Sequence, residues 1–192
     1  MERNDYLVLV NKQNKLPDNW EEKVKLVEVK NIFNRTVKIE EETLDKFEEL
    51  KKSLLAEWID IELDSAYRSL EKQQDLREDM EEKYGIEYAE KYAALPGYSE
   101  HHTWLALDIC IKKWEKLIHE NHEMIVECEI FAKIHEKMVD YGFILRYLEG
   151  REDITWFEYE PWHLRYVWDV FIAREISKNW WTLEEYLNKK NN

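Results

Sequence analysis

Two short stretches of the sequence carry side chains that could bind one metal ion, although they lie far apart along the chain. In residues 96–108, His101 and Asp108 are seven residues apart, and in residues 160–163, Glu160 stands three residues before His163. Imidazole and carboxylate groups both bind zinc, and a catalytic zinc needs three such ligands, an open position and a nearby carboxylate base. Such spacing is common among unrelated residues, so it has meaning only if the fold brings the two stretches together.

The composition favours one globular domain, which we place at residues 1–192, because 44% of the residues are hydrophobic. The net charge of -14 argues against nucleic acid or anionic lipid as a partner. No apolar run approaches the ~20 residues of a membrane span, and the N-terminus lacks an apolar signal core. We therefore expect a cytoplasmic protein, or an extracytoplasmic one if an anchor preceded Met1. Cys110 and Cys128 are expected to be reduced, buried thiols, with a disulfide left open.

Hydrophobic patterning predicts a mixture of strands and helices. Alternation or short apolar runs predict strands at residues 6–10, 59–63, 105–111, 143–147, 154–159 and 163–167. Helical spacing predicts a helix capped by Thr43, charged helical segments over 69–94, an amphipathic helix over 123–141, and a last helix opened by a capping box at Thr182. Because these elements do not follow a regular βαβ order, we expect an α+β fold with a small antiparallel sheet flanked by helices.

Four sequence blocks carry a family resemblance. They are Ser-Ala-Tyr-Arg-Ser at 65–69 with Gln73, Ser-Glu-His at 99–101 with Asp108, Tyr-Gly-Phe-Ile-Leu-Arg-Tyr at 141–147, and Glu-Pro-Trp-His-Leu-Arg-Tyr-Val at 160–167. In this order they resemble the VanY-type zinc D-alanyl-D-alanine carboxypeptidases, and most closely the short bifunctional D,D-dipeptidase/D,D-carboxypeptidases of vancomycin resistance. The resemblance implies a Hedgehog/DD-peptidase-like fold and hydrolysis of the C-terminal D-Ala from peptidoglycan peptides or precursors ending in D-Ala-D-Ala.

The resemblance also implies a role for each residue of the site. His101, Asp108 and His163 would bind Zn²⁺, and Glu160 would take a proton from the zinc-bound water and return it to the leaving amine. Arg68 would face the scissile peptide and stabilise the developing oxyanion. The alternatives are a structural ion pair for Arg68 and an exposed salt bridge for Glu160.

Four further residues match positions near the substrate pocket. Ser99 and Gln73 could hold the C-terminal carboxylate, and the alternative is a local cap or turn role for either. Tyr67 and Trp162 could form walls of the pocket, and ordinary packing is the alternative. His102 competes with its neighbour as a zinc ligand, and the resemblance selects the histidine that directly follows Ser-Glu.

Glycine is scarce and tryptophan abundant in this chain. There are four glycines and nine tryptophans, whereas average usage of about 7% would give ~13 glycines. The family has glycine where this chain has Trp58, Trp104, Trp156 and Trp168, and Trp180 or Trp181 is a candidate fifth position. We hypothesise that these codons are UGA, read as glycine in the source genome. The alternative is a divergent homologue that repacked its turns.

The same motifs leave other activities open. One alternative is an L,D-carboxypeptidase that trims tetrapeptide stems, and another is a phage-type endopeptidase that lyses cell walls. A non-catalytic wall-peptide binder is a third, because tryptophan at position 104 or 156 could crowd the zinc site.

Overall fold

The sheet structure is entirely antiparallel. A separate hairpin of β1 (Leu26–Lys30) and β2 (Thr36–Glu40) precedes the main sheet. The computed structural model describes residues 1–190. The main sheet contains five strands, β3 (Asp60–Ser65), β4 (Ala106–Lys113), β5 (Lys116–Ile118), β6 (Phe143–Leu145) and β7 (His163–Tyr166). Strand β4 pairs with β3, β5 and β7, and β7 pairs with β6. The expected α+β class with an antiparallel sheet is confirmed.

Helices of varied length surround this sheet. They are α1 (Glu41–Leu55), α2 (Leu70–Tyr84), α3 (Ile86–Tyr92), α4 (Asn121–Met124), α5 (Cys128–Met138), α6 (Glu152–Thr155), α7 (Val170–Lys178) and α8 (Leu183–Lys190). Helix α1 begins earlier than expected because the Glu40 side chain, rather than that of Thr43, is its cap; Glu40 accepts a hydrogen bond from the Thr43 N–H at 2.7 Å. The capping box before α8 is confirmed, since Thr182 and Glu185 accept hydrogen bonds from each other's N–H groups.

The main core lies between the sheet and the apolar faces of α1 and α5. Leu50 of α1, Ile61 and Leu63 of β3 and Ile134 of α5 are buried in one cluster. The alternation that predicted β3 has its physical cause here, because Glu62, between Ile61 and Leu63, points away from the cluster and pairs with Lys51 of α1. Truncating one such buried aliphatic residue to alanine typically costs about 2–5 kcal/mol.

Two strand predictions were wrong. Residues 6–10 begin in a 3₁₀ turn, Asp5–Leu7. The carbonyls of Tyr6 and Val8 accept hydrogen bonds from the buried Arg165 guanidinium at 2.9 and 2.8 Å instead of joining a ladder. Residues 154–159 begin inside α6, where Thr155 and Trp156 donate backbone hydrogen bonds to the carbonyls four residues earlier.

Two further expectations concern the thiols and the membrane. Both cysteines are free, but only Cys110 is buried, so the expectation that Cys128 is buried was wrong. Among the described residues, no helix combines the length and the apolar character that a membrane crossing requires.

Candidate active site

The register of the sheet brings the two metal-binding stretches together. Asp108 on β4 lies directly opposite His163 on β7 in the antiparallel ladder. His101 lies in the 3₁₀ turn Glu100–Thr103, which leads into β4, and its carbonyl accepts a hydrogen bond from the Arg68 N–H just after β3. Two paired strands and the turn before β4 therefore bring His101, Asp108 and His163 together.

The three expected ligands are close enough to share one ion. The Asp108 Oδ2 atom lies 3.2 Å from His101 Nε2, and Asp108 Oδ1 lies 3.1 Å from His163 Nδ1. One donor atom from each residue falls within a group whose members all lie within 4.8 Å of one another. A tetrahedral zinc with ligands at 2.0–2.1 Å separates its donors by about 3.3 Å. This His-Asp-His set therefore fits zinc.

The hydrogen bonds of their imidazole rings show which of the neighbours His101 and His102 has a nitrogen free to bind a metal ion. His101 Nδ1 lies 2.7 Å from the Ala66 carbonyl and donates to it, so the lone pair of Nε2 faces Asp108. His102 has both ring nitrogens engaged, because Nδ1 contacts the Arg68 carbonyl at 2.6 Å and Nε2 accepts from the Gly97 N–H at 3.0 Å. The geometry thus supports His101 as the ligand over its neighbour.

The other two expected catalytic residues border the same cavity. It has a volume of about 140 Å³, and its lining includes Arg68 and Glu160 together with the three ligands. The Glu160 carboxylate is buried and lies 3.7 Å from His163 Nδ1, while Arg68 Nη2 lies 3.9 Å from Asp108 Oδ2. A carboxylate and a guanidinium thus flank the group that would hold the metal.

Burial and nearby charges shift the pKa values of Glu160 and Asp108 in opposite directions. Burial raises the pKa of Glu160 to about 8, and the nearby Asp108 charge adds to this shift against the attraction of His163 and Arg68. Burial alone would raise the pKa of Asp108 too, but His101 and His163 outweigh it and hold that pKa well below its usual range. The raised pKa makes Glu160 the more basic carboxylate, and the lowered pKa keeps Asp108 ionised, which suits a base and a metal ligand respectively.

The expected substrate-binding residues divide into two pairs. Ser99 and Trp162 line the cavity, and the Ser99 hydroxyl also caps the turn by accepting from the His101 N–H at 3.3 Å. Gln73 is fully buried and does not line the cavity itself, but it accepts a hydrogen bond from Arg68 Nη1 at 2.9 Å and donates to the Ala94 carbonyl. Tyr67 also does not line the cavity, and its ring stacks on that of Trp104.

Sequence reasoning missed a buried ion cluster beneath the site. The Glu100 Oε1 atom accepts hydrogen bonds from Arg146 Nε at 2.8 Å and Arg165 Nη1 at 2.6 Å. Arg146 also donates two bonds to Glu184, which Asn11 contacts as well. The two arginines outweigh the effect of burial and hold the pKa of Glu100 well below its usual range. The available signal was that Glu100 and both arginines fall inside the resemblance blocks.

The side chain of Glu100 brings this cluster close to the imidazole of His163. Glu100 Oε2 and His163 Nε2 lie 3.8 Å apart, and both atoms are buried without a hydrogen-bond partner among the described residues. A carboxylate behind a ligating imidazole fixes the ring and its tautomer. Glu100 therefore leaves the opposite nitrogen, Nδ1, directed at Asp108.

Zinc binding is expected to release a proton from His163. Burial alone lowers the pKa of His163, but hydrogen bonds to Asp108 and Glu100 and nearby carboxylate charges raise it to about 9. The metal-free imidazole is then protonated at pH 7 and must become neutral to bind, so the zinc Kd should fall by up to about tenfold per pH unit between pH 7 and 8. Titration calorimetry in buffers of different ionisation enthalpy measures this release. A binding heat that does not depend on the buffer would contradict it.

Comparisons with known proteins give relatives over most of the chain. The profile of the family "VanY: D-alanyl-D-alanine carboxypeptidase" matches residues 36–169. The bifunctional D-Ala-D-Ala dipeptidase and D-Ala-D-Ala carboxypeptidase VanXYC of Enterococcus gallinarum is 40% identical over 129 residues, which are 66% of either chain. The match thus spans just under two thirds of the length of that relative.

Solved structures extend the similarity to the whole fold. The vancomycin resistance D,D-pentapeptidase VanY from a VanB-type cassette, in complex with Zn(II), superposes with a TM-score of 0.81 at 29% identity, over 95% of this chain and 99% of that one. The LD-carboxypeptidase LdcB superposes with a TM-score of 0.82 at 34% identity, over 97% and 87%. With the profile match, these similarities show that the chain belongs to the VanY family of D-alanyl-D-alanine carboxypeptidases.

Proposed function

We propose that this protein is a zinc D,D-carboxypeptidase that removes the terminal D-Ala from peptidoglycan peptides or precursors ending in D-Ala-D-Ala. The observation that carries the proposal is the cavity in which His101, Asp108 and His163 converge beside Glu160 and Arg68. Family membership gives the reaction class, and the whole described chain contributes to one domain around this site.

The side chains have separate tasks in the proposed reaction. Zinc, when bound, would activate a water molecule and polarise the scissile carbonyl. Glu160 accepts the proton of the attacking water and passes it to the amine of the leaving D-Ala, because its carboxylate borders the cavity beside the three metal ligands. The Arg68 guanidinium donates hydrogen bonds to the carbonyl oxygen as negative charge develops there.

Recognition of the substrate rests on two kinds of contact. Ser99 and Trp162 border the cavity and are placed to contact the peptide. We assign Gln73 an indirect role, because its amide oxygen fixes Arg68 from a fully buried position. Tyr67 does not line the cavity, so we assign it no direct contact with the peptide.

An L,D-carboxypeptidase acting on tetrapeptide stems is the second candidate. The favouring observation is the similarity to the LD-carboxypeptidase LdcB, with a TM-score of 0.82 and 34% identity, against 0.81 and 29% for the D,D-pentapeptidase. The two activities differ in the stereochemistry of the residue before the scissile bond, so substrate choice separates them.

The test is the release of D-Ala from three defined substrates, with zinc and with a chelator. A pentapeptide ending in D-Ala-D-Ala and the free dipeptide should be cleaved in the presence of zinc, and a tetrapeptide should be cleaved much more slowly. Faster cleavage of the tetrapeptide would replace the D,D-assignment by the L,D-assignment. Turbidity loss on isolated cell walls would instead indicate an endopeptidase, and peptide binding without any release would indicate a non-catalytic binder.

Replacing Arg68 with methionine should lower kcat by roughly 10²–10³-fold, the usual effect of losing one oxyanion donor. The matched control is Arg77→Met, because Arg77 donates to Glu81 and to the Ala93 carbonyl outside the metal site. Steady-state D-Ala release measures both variants. Similar losses in both variants would assign Arg68 a structural role.

The cytoplasmic location expected from the sequence stays a prediction. Fractionation of the source cells, followed by detection of the protein in each fraction, would test it. We propose that the partner is a soluble wall precursor or the free dipeptide.

A further inference from the structure

Six of the nine tryptophans adopt a backbone conformation that side chains of L-amino acids rarely take. Among the described residues, only four glycines, two asparagines and six tryptophans have positive φ angles. The tryptophans are Trp58, Trp104, Trp114, Trp156, Trp168 and Trp180, with φ between 54° and 66°. Glycine adopts this region freely and asparagine tolerates it, whereas a bulky residue there is an outlier.

Trp58 and Trp180 each occupy the left-handed position of a Schellman motif at the end of a helix. After α1, the Ile59 N–H donates to the Leu54 carbonyl and the Trp58 N–H donates to the Leu55 carbonyl, both at 3.0 Å. This pair of bonds requires a left-handed residue at position 58, and glycine is the usual choice there.

The same pattern recurs after α7 and distinguishes two adjacent tryptophans. The Trp181 N–H donates to the Ile176 carbonyl and the Trp180 N–H donates to the Ser177 carbonyl, both at 3.1 Å. Position 180 is therefore the left-handed residue. Trp181 has an ordinary backbone and packs against the second core cluster.

Two other positions are tight turns that favour glycine for different reasons. Trp114 is the first residue of the two-residue hairpin loop between the paired Lys113 and Lys116, and it alone of the two loop residues has positive φ. That is the pattern of a type II′ turn, which takes glycine at this position. Trp168 is the central residue of a three-residue turn closed by the Asp169 N–H and the Val167 carbonyl at 2.7 Å.

The remaining two end the short helical turns nearest the active site. Trp104 follows the turn that carries His101, and Trp156 follows α6. The indole Nε1 of Trp104 is buried without a hydrogen-bond partner among the described residues. By contrast, the buried Trp20 donates from Nε1 to the Thr103 carbonyl at 3.1 Å.

The side chains themselves give little reason for tryptophan at two of these positions. Trp58 is 96% exposed and Trp114 is 92% exposed. They border one surface groove and, taken as native residues, would suggest a docking site for a ring or an apolar partner. Their backbone geometry gives a different explanation for both.

We infer that glycine is the native residue at positions 58, 104, 114, 156, 168 and 180, and that their codon is UGA, read as glycine in the source organism. One reassigned codon accounts for all six at once, while Trp20, Trp162 and Trp181, which have ordinary backbone angles, are true tryptophans. The glycine total rises from four to ten, close to average usage. A divergent chain that repacked its turns would have no reason to place six of its nine tryptophans at left-handed positions.

The first test determines the nine tryptophan codons in the gene and the residues at these positions in the native protein. UGA at the six positions and UGG at Trp20, Trp162 and Trp181 is expected. Mass spectrometry of peptides from the source organism should then show glycine at each of the six positions. UGG at the six positions, or peptides that contain tryptophan there, would overturn the inference.

The second test measures backbone strain in the purified chain. Trp58→Gly should raise the thermal midpoint by roughly 2–4 °C, and Trp58→Ala should not, because alanine keeps the Cβ that disfavours this φ. Trp114 offers the same comparison on another exposed turn, and Trp20→Gly, at an ordinary φ, should lower the midpoint. Equal effects of glycine and alanine at both positions would show that the turns do not demand glycine.

Discussion

Replacing Glu160 with alanine should reduce kcat for D-Ala release by roughly 10²–10⁴-fold, the usual contribution of a positioned general base. The carboxylate is buried beside the metal-binding group but is not one of its three members. The variant should therefore still bind zinc with nearly unchanged stoichiometry. Steady-state kinetics together with zinc titration distinguishes loss of the base from loss of the metal.

The neighbouring carboxylate Glu158 supplies the matched control for this experiment. It forms an ion pair with Lys91 at 2.9 Å and lies outside the cavity that holds the metal ligands. Glu158→Ala should leave kcat within about threefold of the parent, because a surface pair of this kind contributes little. Equal losses in the two variants, or full activity of Glu160→Ala, would remove Glu160 from the proposed mechanism.

The sequence could predict the strands that carry the site because those strands alternate. The residues around Ile61 and those around Asp108 show period-two patterning, and both segments pair in the sheet. Pattern alone could not show that Asp108 lies opposite His163, since register depends on contacts across strands. The resemblance supplied that link, and the distances in the structure now support it.

The strand predictions failed where side-chain charges or local hydrogen bonds took the place of pairing between strands. The apolar run at 6–10 lies against the sheet, but its carbonyls bind the Arg165 side chain, a contact no periodicity encodes. The hairpin of β1 and β2 was missed although apolar and charged residues alternate in both strands, so its sequence signal was available. The buried cluster around Glu100 was missed because charged residues are normally assigned to the surface.

Breaking that cluster should be among the most destabilising single changes outside the apolar core. Arg146→Met removes three hydrogen bonds to Glu100 and Glu184 and leaves both carboxylates partly unpaired in a buried site. The expected loss is about 3–5 kcal/mol in the free energy of unfolding, or roughly 6–20 °C in the thermal midpoint. Urea titration and thermal unfolding of the metal-free protein would measure it.

The variant Arg174→Met is the control for Arg146→Met, because it breaks a similar arginine–carboxylate pair that is not buried. Arg174 also donates two hydrogen bonds to one carboxylate, that of Asp140, but both side chains are about half exposed. Because solvent screens an exposed pair, its loss should cost less than about 1 kcal/mol. A similar cost for the two variants would mean that the buried arginine contributes no more than a surface one. The larger cost expected for Arg146→Met would show that the buried charges beneath His163 stabilise the fold that carries the site.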